Sequence, residues 1–177
     1  MTKNKVLLVL LFVMSSGTFF SQTKEELKFT AERDARITSA ATLAGNFKTV
    51  IKHTYPTVVE FMGGTETAVG LIENMFAEMG EQGFSFEKAD VQFVSDVVFE
   101  QDEYRCYAQS ENYMRMNDVR IISISYLLGI YDAEKEIWYF IEAAKMKDKA
   151  LIDELFPGFK TALNIPADET KTEEIKD

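Results

Sequence analysis

The chain has 177 residues, 46% of them hydrophobic and 27% charged, the balance of a globular protein and not of a disordered one. Its 19 Lys+Arg stand against 29 Asp+Glu, a formal charge of −10, so it repels phosphate backbones and nucleic acid is not an expected partner. One cysteine and one histidine exclude a zinc finger, a Cys/His metal cluster and an internal disulfide framework, and no metal or cofactor is expected.

The first element is an address. Lys3 and Lys5 precede an apolar run from Val6 to Met14, small residues follow, and the stretch closes at Phe19-Phe20-Ser21-Gln22. A basic start, an apolar centre of about ten residues and a small residue before a polar switch read as a secretory signal peptide. The run falls short of the ~20 apolar residues of a membrane span, so no stable anchor is expected. Cleavage after Ser21 removes Lys3 and Lys5 and takes the formal charge to −12. The expected organisation is a signal peptide over 1–21, one domain over 22–166 and an acidic flexible tail over 167–177. The expected location is the periplasm or the outside.

Thr23-Lys24-Glu25-Glu26 fits a capping box, so a helix starts there and carries Ala31, Ala35, Thr38 and Ala41 at helical spacing. Gly45-Asn46 stops it. Phe47, Val50 and Ile51 form a short second helix that Pro56 ends, and Thr57 to Phe61, β-branched, reads as a small strand or extended segment. After Gly63-Gly64 a third helix runs from about Thr65. Ala68, Ile72, Met75 and Met79 share its inner face, Leu71 and Phe76 widen it, and Gly80 and Gly83 end it.

From Phe84 the period changes to two. Val91, Phe93, Val97 and Phe99 alternate with polar residues, Gln101-Asp102-Glu103 turns, and a second strand runs from Tyr104 to Met116. Asn117-Asp118 turns into a third, Val119 to Tyr131, apolar on both faces. The loop Asp132 to Lys135 leads to a last strand, Ile137 to Ile141. A short helix from Lys147 to Leu155 stops at Pro157, and the residues from Ala167 onward read as a frayed tail. Cys106, within the second strand, reads as a small buried hydrophobe. Helices followed by an antiparallel meander give an α+β domain, with N-terminal helices packed on a curved antiparallel sheet.

Several of these segments carry a resemblance. Leu43 to Ile51 resembles the Gly-Asp turn between the first two helices of the nuclear transport factor 2-like superfamily, which has a cystatin-like, SnoaL-like fold. Tyr55 to Val59 is similar to that family's approach to its first strand, Gly64 to Ala68 to the start of its third helix, and Trp138 to Ile141 to its terminal strand. A closer resemblance, through Thr54 to Gly64, Ser125 to Ile141 and Leu155 to Pro166, is to exported proteins of Bacteroidetes-type bacteria. The first resemblance implies a cone with a cavity between helices and sheet. It also implies a test for the chemistry of the family's isomerases and dehydratases. The position of the isomerase tyrosine, seven residues before the turn glycine, holds Thr38, and the base position falls on or near Glu60. The dehydratases use paired histidines, and His53 stands alone.

His53 reads first as a helix-end residue facing terminal carbonyls, and second as a base oriented by Glu60 or Asp90. Tyrosines through the meander read as cross-strand packing. The alternative is a lined pocket in which Tyr55, Tyr113 and Trp138 face an apolar ligand, with Arg105 and Arg115 pairing its carboxylate. The leading expectation is a non-catalytic exported domain that binds a small hydrophobic ligand or a protein partner. Alternatives are an isomerase- or lyase-like enzyme using Glu60 or His53, and a homodimer associating through the open sheet.

Overall fold

The computed structural model describes residues 22–175; the signal peptide read over 1–21 lies outside them. Helix α1 (Lys24–Leu43) opens on the expected capping box. The Thr23 side chain accepts from the Glu26 N–H, and the Glu26 carboxylate accepts from the Thr23 N–H at 2.8 Å. Gly45, at φ +68°, ends it in the left-handed conformation, and Asn46 then caps α2 (Phe47–Lys52) by accepting from the Thr49 N–H.

The expected extended segment after Pro56 is instead helix α3 (Pro56–Phe61). Proline at the first helical position forfeits no hydrogen bond and its fixed φ suits the helix, while Tyr55 takes the extended geometry the proline imposes. Those two local effects outweigh the β preference of Thr57, Val58 and Val59. Helix α4 (Thr65–Glu81) follows, rotated from the expected face. Ala68 is fully buried and Phe76 packs on Phe47, Phe84 and Phe86, whereas Leu71 and Met75 are about half exposed.

Strands β1 (Phe84–Val94), β2 (Val98–Glu100), β3 (Glu103–Met116), β4 (Val119–Asp132) and β5 (Ile137–Glu142) form an antiparallel sheet in the order β1-β3-β4-β5. The expected first strand is split. β1 carries register breaks around Glu87 and Gln92, and β2 takes up pairing with the start of β3. A 3-10 turn (Ala143–Lys147) and helix α5 (Lys149–Leu155) follow. The expected flexible tail is a sixth strand, β6 (Glu169–Glu174), paired with the first half of β4. The outer edge of β4 is therefore shared: β6 lies along Val119 to Ile124 and β5 along Leu127 to Asp132. At the junction the Tyr126 N–H donates to Asp168 Oδ1 at 3.3 Å.

The two faces of the sheet have separate cores. On one face Leu27, Ala31 and Ala35 of α1 meet Val91, Val94, Cys106, Ala108, Trp138 and Phe140. On the other, Leu128, Ile130 and Ile141 are covered by Phe156, Phe159, Leu163 and Ile165 of the C-terminal segment together with Tyr55 and Val58 of the α2–α3 region. Arg105, 3% exposed, fastens that cover: its guanidinium donates to the Lys160 carbonyl at 2.8 Å and to Glu103 at 2.6 Å, and lies over the Phe159 ring.

Candidate functional site

β5 ends the sheet on one side, and an edge strand leaves every second peptide group without a ladder partner. Here the neighbouring elements supply them. The chain at Thr54 bridges Phe140, whose N–H donates to the His53 carbonyl at 2.7 Å and whose carbonyl accepts from the Tyr55 N–H at 3.3 Å. One turn of the pleat away, the Trp138 peptide is satisfied by side chains. Its N–H donates to Asp34 Oδ2 at 3.1 Å, and its carbonyl bonds His53 Nδ1 at 3.1 Å. Asp34 is 2% and His53 4% exposed. The second Asp34 oxygen accepts from Arg33 at 2.7–2.8 Å, so this buried carboxylate has a charge partner as well as a peptide donor.

This geometry fixes the histidine chemistry. A carbonyl oxygen only accepts, so Nδ1 carries the hydrogen and Nε2 of the neutral ring presents a lone pair. Nε2 has no partner among the described residues. No fully buried side-chain nitrogen or oxygen among the described residues lacks a partner, so Nε2 keeps a path to solvent. His53 lines a depression of about 430 Å³ between α1, the end of α2 and β5, whose other polar lining residues are Arg33, Asp34, Lys52, Lys135 and Glu136.

A second depression, about 450 Å³, is apolar. Leu43 at the end of α1, Phe47 of α2, Phe76 and Ala77 of α4, and Phe84 and Phe86 of β1 line it, with Thr42, Glu73 and Ser85 at its polar positions. Phe76 is its centre, 4.6 Å from the Phe47 ring and 5.8 Å from Phe86, with which it stacks.

The site residues expected from sequence do not converge on one cavity. Glu60 stands exposed on α3, away from any dry surroundings. Asp90 lies on β1, bonded by Arg36 and Gln92, so neither carboxylate orients His53. Trp138 is fully buried core, its indole N–H donating to Thr30 Oγ1 at 3.0 Å. Tyr55 belongs to the second core, 4.8 Å from Phe156. Burial raises its hydroxyl above the usual phenol range, and nearby Glu103 pushes it in the same direction. Tyr113 lies on the open part of the second face under the Lys88 ammonium. Arg105 is consumed by the C-terminal cover, and Arg115 donates to the Asn117 carbonyl. Cys106 is fully buried, and burial pushes its thiol up to about 12.

Sequence reasoning passed over Asp34. Its signal was its place: three residues after Ala31 and four before Thr38, a carboxylate on the buried stripe of α1. No described helix is long and apolar enough to cross a membrane, and no group of three or more His, Cys, Asp or Glu gathers among the described residues to hold a metal. Compared with known proteins, the chain matches no family model and no curated sequence.

Proposed function

We propose that this is an exported, non-catalytic binding domain of the nuclear transport factor 2-like kind, taking a small apolar ligand in the groove between α1, α4 and β1. The observation that carries the reading is the apolar lining by Leu43, Phe47, Phe76, Phe84 and Phe86 around a depression of about 450 Å³. That volume falls within the ~300–1,000 Å³ of small-molecule sites. Its one ionisable lining group is Glu73, so the groove offers contact area and no acid–base pair. The isomerase-like alternative loses its base, because Glu60 stands in water and not in the dry pocket that tunes such carboxylates. Export rests on Lys3, Lys5 and the apolar run to Met14. In the native host the mature chain then begins at or near Gln22, and N-terminal sequencing that finds Met1 or Thr2 intact refutes it.

The groove is tested with a neutral naphthylamine dye whose emission rises in apolar surroundings. Dye emission saturates at one dye per chain with the wild type. Ala77→Phe, which places a ring into the groove from an exposed position of α4, removes the signal while leaving the melting temperature unchanged. Equal emission from both proteins refutes the site. Emission displaced by a protein from the same compartment and not by small apolar compounds makes the occupant a partner's side chain.

A further inference from the structure

We propose that the depression over His53 is a second binding site, for a small carboxylate with an apolar body, and that His53 Nε2 is its central contact. His53 is more than nine-tenths buried and lines the cavity, its Nδ1–H is spent on the Trp138 carbonyl, and its Nε2 has no partner among the described residues. A ring held this way has one free valence and a fixed direction. A hydrogen bond at Nε2 is therefore the one polar contact the ring still has to offer to whatever occupies the depression.

The charges around it select the occupant. Lys52 from α2, Arg33 from α1 and Lys135 from the β4–β5 loop face the depression against Asp34 and Glu136. Three cations thus stand against two carboxylates in the lining, and Asp34 is already engaged by Arg33 and the Trp138 N–H, in a chain whose overall charge is strongly negative. Lys135 is held in place by Asp132 at 3.1 Å and by the Tyr139 hydroxyl at 3.3 Å. An anion therefore meets pre-placed donors, which lowers the ordering cost of binding it. Ile37, Ile137 and Tyr139 complete the lining with apolar and aromatic surface, so the fitting anion is a monocarboxylate carrying a ring or branched chain and not a bare phosphate.

The chain has a single histidine, so the imidazole proton resonances of the intact protein report this site alone. Benzoate is the probe. The expected result is a saturable shift of the His53 resonances. It becomes about tenfold weaker in affinity in Lys52→Gln and again in Lys135→Gln, since each removes one charge-assisted contact. Both positions are exposed, and unchanged His53 resonances without benzoate verify that the fold and the Trp138 contact are intact. Benzamide, the neutral isostere, gives no saturable shift. No saturable shift with benzoate overturns the proposal, as does the same shift with benzamide or unaltered affinity in both lysine variants. Inorganic phosphate binding as well as benzoate overturns the assignment of the apolar body. The apolar groove is untouched by these variants, so the dye experiment stands or falls separately.

Discussion

Replacing Asp34 by alanine isolates what holds α1 to the edge of the sheet. The substitution removes the acceptor of the Trp138 N–H, whose residue is fully buried, and an unpaired buried donor costs about 1–3 kcal/mol. The ion pair to Arg33 adds no more than about 1 kcal/mol, because the Arg33 side chain is half exposed and water screens it. Alanine returns roughly 0.5 kcal/mol of helix propensity. The net loss is about 0.5–3.5 kcal/mol, which for a domain of this size lowers the melting temperature by roughly 1–14 °C. Urea unfolding followed by circular dichroism and by the emission of Trp138, the sole tryptophan, measures it. Asp34→Asn keeps an oxygen for the N–H and loses about 1 kcal/mol. Arg33→Ala costs no more than that. If Arg33→Ala destabilises as much as Asp34→Ala, or if the alanine and asparagine variants at 34 are equal, the peptide bond is not what the carboxylate serves.

Cys106 does not react with a thiol reagent at pH 8 in the folded protein and reacts at once in denaturant; modification of the native protein would contradict its burial. Its folded pKa of about 12 lies above the unfolded value near ~9, so its contribution is complete below pH ~9 and is lost as pH rises toward 12, at about 1.4 kcal/mol per pH unit. Between pH 9 and 10.5 the urea midpoint of the wild type therefore falls more steeply than that of Cys106→Ala; parallel slopes count against the shift. Gly129→Ala puts a methyl group 3.1 Å from Cys106 Sγ and 3.2 and 3.3 Å from ring carbons of Phe140 and Trp138, for a loss of about 1–3 kcal/mol in urea unfolding. Because the sulfur is the nearest neighbour, Cys106→Ala recovers part of that loss in the double variant.

Local signals were legible wherever one element decided its own structure. The Thr23–Glu26 box, the Gly45-Asn46 stop and the Asn117-Asp118 turn each act within a few residues, and the helices and strands they bound appear where the pattern puts them. The errors lie where neighbours decide. Thr57 to Phe61 has strand-forming residues, yet Pro56 starts a helix there. Glu169 to Glu174 has no apolar residue and every position is exposed, so no periodicity marks it; it is a strand because β4 offers a free edge of backbone groups. The site followed the same rule. His53 drew notice for its rarity, but its partner Asp34 is remote in sequence and the group between them is the main chain of Trp138, which no side-chain motif records.

The shared outer edge of β4 gives a single strand two independent strengths. The half beside β5 is clamped by Trp138 and Phe140, which are rooted in the α1 core, whereas the half beside β6 is held by a ribbon with no buried side chain. Releasing β6 exposes little apolar surface, so it peels at low free energy while β5 stays paired, and the Asp168–Tyr126 bond marks where the peeling stops. Amides along this edge then exchange with solvent in a step at Tyr126 and not in a gradient: fast on Arg120, Ile122 and Ile124, slow on Leu128 and Ile130. The last strand of the fold is in effect a removable hem, and the sheet beneath it keeps its shape without it.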